Sequence, residues 1–137
     1  MTTVVQTILA FDFGLKRTGV AVGNTLTGGA RPLTTIETAQ NAKRFARIEA
    51  LLVEWQPDFL VVGVPFDPDG GETPLARRAR RFGRQLGGRY GLPVKFVDER
   101  YSSAVVEDAM RPGIDDKAAV DAAAAAVILQ AWLDQQT

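Results

Sequence analysis

The chain has 137 residues, 46% of them hydrophobic, with 16 basic and 16 acidic side chains and neither cysteine nor histidine. Its length suits one domain with one sizeable core. Lack of cysteine excludes disulfides and thiolate metal sites, and lack of histidine excludes imidazole catalysis and the usual zinc sites. Any enzyme here must work with carboxylates and oxygen ligands, which suit hard cations such as magnesium or manganese.

Val4 to Phe11 and Gly19 to Gly23 are rich in apolar and β-branched residues and flank the loop Gly14-Leu15-Lys16-Arg17-Thr18, which predicts an antiparallel hairpin. Pro32 to Glu37 is a third strand. Asn41 to Trp55 carries Phe45, Ile48, Leu51, Leu52 and Trp55 at helical spacing and stops before Pro57. Phe59 to Val64 is a continuous apolar run, expected for a strand covered on both faces. After a loop from Pro65 to Pro74, Leu75 to Leu86 reads as a helix, with Leu75, Ala79, Phe82, Gly83 and Leu86 on its core face and Gly87-Gly88 and Gly91 breaking it. Val94 to Val97 is expected to be another buried strand and Ser102 to Met110 a helix. A last alanine-rich helix runs from Lys117 to Gln135, with Asp115 or Asp116 able to cap it. Three strands in sequence followed by alternating helices and strands imply an α/β fold, a mixed sheet with helices packed on it.

The N-terminus has no signal-peptide pattern and no stretch is long enough to span a membrane, so a cytoplasmic location is expected.

Three acids interrupt apolar segments: Asp12, Glu99 and Asp121. A carboxylate taken out of water must be paired, neutralised or bound to metal, and the local sequence offers few cations. Each has an ordinary reading alone. Asp12 can begin a turn, Glu99 belongs to the charged triplet Asp98-Glu99-Arg100, and Asp121 can pair with Lys117 one helical turn earlier. In a sheet whose first, fourth and fifth strands are parallel, however, such strand ends meet at one edge, where ligands bind. Converging carboxylates repel unless cations hold them. Divalent ions in such a cluster would serve in-line phosphoryl displacement.

Charge is uneven despite the zero net value. Arg77, Arg78, Arg80, Arg81, Arg84 and Arg89 lie between Pro74 and Arg89 with no acid among them. Five of them share the outer helix face over about 15 Å. That face is either simply solvated or a stripe for a phosphate backbone, and Lys16 and Arg17 add charge beside Asp12.

Phe11-Asp12-Phe13-Gly14 followed by Lys16-Arg17-Thr18-Gly19-Val20-Ala21-Val22, then Val61-Val62-Gly63-Val64-Pro65 with Asp69-Gly70, Val97-Asp98-Glu99-Arg100, and Val120-Asp121-Ala122 leading to Ile128-Leu129-Gln130, resemble the YqgF family, also called RuvX. Its members are known as pre-16S rRNA nucleases and were earlier described as Holliday junction resolvases. The resemblance spans essentially the whole chain. It implies an RNase H-like fold with a mixed five-stranded sheet, its first three strands antiparallel and helices on both faces, and a divalent-metal nuclease using magnesium or manganese. By motif match, Asp12, Glu99 and Asp121 are the catalytic and metal-binding acids. Lys16, Arg17, Arg77, Arg78, Arg80, Arg81, Arg84 and Arg100 are the expected nucleic-acid contacts.

The implied partner is structured RNA, pre-16S rRNA at its 5′ end, or branched DNA, with ribosomal subunit precursors as a further partner and a monomer or homodimer as the assembly. A resolvase of four-way DNA junctions and a non-catalytic nucleic-acid or transcription-factor-binding module are the alternatives. Two departures stand out. Tyr101-Ser102-Ser103 stands where the family often has Leu-Thr-Thr or Leu-Ser-Thr. A short acidic connection from Met110 to Asp116 replaces the longer basic loop of many members, so substrate contacts made by that loop do not carry over.

Overall fold

A computed structural model describes residues 4–65, 71–98 and 117–136. Five strands form one mixed sheet: β1 (Thr7–Asp12), β2 (Arg17–Asn24), β3 (Ala30–Glu37), β4 (Phe59–Val64) and β5 (Val94–Asp98). Their order across the sheet is β3-β2-β1-β4-β5. The first three are antiparallel, and β4 and β5 run parallel to β1. Among the described residues three helices cover the sheet, α1 (Asn41–Trp55), α2 (Pro74–Tyr90) and α3 (Lys117–Asp134). The helix expected over Ser102 to Met110 lies outside the described residues, as do Asp115 and Asp116.

Alternation along the central strands sorts the core into two halves. Leu9 and Phe11 of β1 pack with Phe45 and Ile48 of α1 and Phe82 and Leu86 of α2. Ile8 and Ala10 point the other way, into a cluster with Ala125, Ile128, Leu129 and Leu133 of α3. Both sides of β1 and β4 are therefore covered, which is why their sequences are continuously apolar rather than alternating. On the α3 side, β2 presents the small residues Gly19, Ala21 and Gly23. The alanine-rich helix settles close onto that row, and Thr35 Oγ1 donates to the Ala118 carbonyl while Gln130 Oε1 accepts from the Ala30 amide.

Several boundaries differ from the sequence reading. The second helix runs through Gly87 and Gly88 to Tyr90, because a glycine in the right-handed region weakens a helix without ending it. What stops it is Gly91, left-handed at φ 66°, whose amide bonds the Gly87 carbonyl. Its start is Pro74, with the Thr73 hydroxyl accepting from the Ala76 amide. Leu75 is exposed and Ala76 takes the core position. Strand β5 is an edge strand rather than a buried one, with Phe96 44% exposed. Strand β3 begins two residues early and shifts register between Val20 and Ala21 of its partner, and its Pro32 is tolerated because this is the other edge.

Candidate active site

Asp12 is the last residue of β1 and Asp98 the last of β5, and with Val64 of β4 they end at one edge of the sheet. Phe13 turns into the core on the α1/α2 side, where its ring stacks on Phe82 at 4.8 Å. By alternation Asp12 belongs to the opposite face, the one carrying Ile8, Ala10 and α3. Its cross-strand partner is Gly19. A Cβ built on Gly19 would fall 1.9 Å from the carbonyl oxygen of Asp121, so the main chain of α3 rests directly on the residue paired with Asp12. Asp12 and Asp121 thus flank one point of the sheet.

Arg17, at the start of β2 and on the same face as Gly19, donates from Nε to Oδ2 of Asp121 at 2.8 Å. Asp121 therefore has a cation supplied from 104 residues away in the sequence, and Arg17 faces that acid. Their side chains are 38% and 26% exposed, so the pair is open to solvent and its net stabilisation is small. Its main effect is to fix where the carboxylate points.

Glu99 and Arg100, expected at this site, lie outside the described residues. Among the described residues no three acids gather into a metal cluster. Asp12 and Asp121 are hard oxygen donors of the kind magnesium and manganese prefer, and Glu99 follows directly on Asp98 in the sequence.

The predicted cationic residues divide. Lys16 is exposed on the turn after Asp12. Arg77, Arg78, Arg81 and Arg84 are exposed on α2, which packs on the sheet face away from Asp121. Arg80 lies 3.8 Å from Glu72, an acid just before the segment that reads as uniformly basic.

One residue that the sequence reading passed over is Arg44. It is only 2% exposed, and its Nη2 donates to the carbonyls of Leu15 at 2.7 Å and Thr38 at 2.9 Å, with Gly14 at 3.4 Å. Nη1 donates to Asn41 Oδ1, and the guanidinium lies 5.1 Å from the Phe13 ring. Burial pushes its pKa below the ordinary arginine value. Arg44 therefore clasps the turn that follows Asp12. Its spacing was a signal: it stands four residues before Ile48, on the apolar stripe of α1, where a solvated arginine has no place.

Solved structures share this architecture. Over 96% of this chain and 95% of that one, the fold is similar to Thermus thermophilus RuvC in complex with a Holliday junction substrate, at TM-score 0.57 and 18% identity. A fowlpox virus Holliday junction resolvase is similar at TM-score 0.54 and 13% identity, covering 94% and 99%. The fold is that of the RNase H-like resolvases. More specifically, the chain belongs to the RuvX family, described as Holliday junction resolvase, whose model matches residues 6–135. Relatives include a Burkholderia lata protein, 52% identical over 133 residues (94% of this chain, 89% of that one), and a Paraburkholderia phytofirmans protein, 51% identical over 128 residues (93% and 88%). Both bear the name "Putative pre-16S rRNA nuclease".

Proposed function

We propose that this nuclease trims the 5′ end of pre-16S rRNA in the cytoplasm, with Asp12, Asp121 and Glu99 holding magnesium or manganese. The observation that carries the reading is the approach of Asp12 and Asp121 through Gly19, two acids set on one face of the sheet edge. Divalent ions bound there would activate a water and stabilise charge on the phosphate. The chain's own contribution is placement. β1 fixes Asp12, the packing of α3 on the Gly19-Ala21-Gly23 row fixes Asp121, and Arg17 orients the latter's carboxylate. Lys16 and the α2 arginines Arg77, Arg78, Arg80, Arg81 and Arg84, with Arg100, position the phosphate backbone. Such contacts carry little sequence information, so specificity comes from the shape of the RNA or from a ribosomal precursor.

The test is cleavage of pre-16S rRNA by the purified protein with and without magnesium or manganese, beside Asp12→Asn. We expect metal-dependent cleavage that the variant loses by more than about 100-fold while RNA binding survives. No metal-dependent cut would refute the reading.

A second reading, favoured by the family's description, is cleavage of four-way DNA junctions. Symmetric cutting of two strands calls for a dimer. A monomer that cleaves the RNA and leaves a junction intact excludes it.

A further inference from the structure

On the sheet face away from Asp121, the N-terminus of α1, the turn after Asp12 and the side of α2 enclose a pocket of about 400 Å³, lined by Phe13, Asn41, Arg44, Arg78, Arg81 and Gln85 among others. We propose that this pocket is a phosphate-binding subsite, in which Arg78, Arg81 and the first amides of α1 grip one phosphate group of the nucleic acid above the buried charge of Arg44. The proposal rests on the nuclease reading for the identity of its ligand.

Three independent features converge on an anion. The first is Arg44, which is 98% buried, and whose Nε–H has no acceptor among the described residues. Its other donors meet neutral carbonyls and an amide oxygen, so no described carboxylate balances its charge. A buried cation left uncompensated raises the potential of the cavity it lines.

The second feature is α1 itself, whose N-cap Gln40 makes no side-chain cap and whose first turn has no acid. Among the described residues, its opening amides therefore have no side-chain cap and its positive dipole end no acid in the first turn, as suits an anion-binding helix terminus. The third is the pair Arg78 and Arg81, three residues apart on one face of α2, neither with an ion pair among the described residues. Arg80, by contrast, faces Glu72, and Arg77 and Arg84 lie outside the pocket lining. The basic face is thus not uniform: two of its arginines are built into a cavity and the others are not.

Position explains what the subsite is for. Phe13 lines the pocket while Asp12, its neighbour, belongs to the opposite face, so a strand gripped here reaches the acids by passing around the Phe13 to Lys16 turn. The group gripped is either an internal phosphodiester or a terminal phosphate.

Both sources are tested on the full chain without divalent metal, using inorganic phosphate and single-stranded RNA with a 5′-hydroxyl or a 5′-phosphate. The readouts are affinity by fluorescence anisotropy and the arginine Nε–Hε resonances. Arg78→Ala/Arg81→Ala should weaken binding by at least about tenfold, because charge-assisted bonds are lost. Arg77→Ala/Arg84→Ala, which removes the same charge, should cost about threefold or less through the general field. Loss on the 5′-hydroxyl RNA assigns the pocket to an internal phosphodiester. Loss confined to inorganic phosphate and 5′-phosphate RNA assigns it to a terminal one. Equal losses in the two double variants, or Arg78 and Arg81 resonances unmoved by all three probes, overturn the proposal. A protein that binds as expected but cuts no RNA with metal added loses the nuclease reading and keeps the subsite.

Discussion

Gly19→Ala tests whether the approach of α3 to β2 builds the site. The added Cβ would lie 1.9 Å from the Asp121 carbonyl oxygen, 2.4 Å from its carbonyl carbon and 3.0 Å from the Ala122 nitrogen. All three atoms are backbone, so no rotamer change relieves the clash. The helix must retreat by more than about 1 Å, which loosens Ala125, Ile128 and Leu129 from the strands they cover. Overpacking typically costs about 1–3 kcal/mol, and the absence of a flexible side chain puts this case in the upper half. In urea, with a slope of about 2 kcal/mol/M, the midpoint should fall by about 1 M. A 1 Å displacement of Asp121 from Asp12 should also lower metal-dependent cleavage by about 100-fold. Gly88→Ala is the control, since a Cβ there meets nothing within 4 Å, and in a helix it should stabilise by about 0.5–1 kcal/mol. If Gly19→Ala unfolds at the parent midpoint and cleaves at the parent rate, the reasoning about the site is wrong.

Gly83→Ala should be milder although its Cβ would come within 2.5 Å of the Phe96 ring. That ring is on an edge strand and half-exposed, so it can swing aside, and calorimetry should show a change under about 1 kcal/mol. A drop as large as that of Gly19→Ala would mean β5 is held more rigidly than its exposure suggests. Arg44→Met should destabilise by about 3 kcal/mol in urea unfolding, because the Gly14, Leu15 and Thr38 carbonyls lose a charged donor. Arg44→Lys should recover little of this, since one ammonium cannot reproduce the planar fork, and full recovery would show that charge alone matters. The Tyr90 phenol is pushed above its ordinary value of 10.0 by burial first and by Glu49 second, with Arg89 opposing. A raised phenol pKa favours the protonated, folded form, so its contribution is complete below pH 10 and fades as pH rises through the folded value. The parent should therefore lose stability as pH rises above 10 more steeply than Tyr90→Phe, and parallel slopes would remove this account.

Strand and helix positions were legible wherever local pattern and tertiary demand agree. Phe59 to Val64 could only be a doubly covered strand, and the α1 stripe ends at Pro57 as expected. Apart from the local Thr73-Pro74 start of α2 and the spacing of Arg44, the failures have one physical source, partners far away in sequence. Nothing local shows that Gly91, rather than Gly87-Gly88, takes the left-handed stop, because that depends on where the chain must turn toward β5. Nor does any local pattern show that β5 ends the sheet and so leaves Phe96 open. Asp121 looked short of a cation because Arg17 arrives from the first hairpin. Of the three acids, the placement of two rests on strand order and on a row of small residues in β2, which was readable only as an apolar, β-branched strand.

The split of the charges between the two faces has a mechanical consequence. A phosphodiester brought to converging carboxylates is repelled unless positive charge accompanies it, and on the α3 face Arg17 already faces Asp121. Among the described residues, the exposed arginines proposed to hold the phosphate backbone stand across the sheet on α2, so under the proposed function the substrate engages both faces. The link between them is the turn after β1, where Asp12 belongs to one face and Phe13 packs into the other. Arg44 fastens that turn from beneath through the Gly14 and Leu15 carbonyls and also lines the α2-side pocket. Loss of Arg44 should therefore disturb RNA binding and cleavage together, whereas loss of Arg78 and Arg81 should act on binding and loss of Asp12 on cleavage. That separation follows from one buried side chain both fastening the turn that follows Asp12 and lining the α2-side pocket.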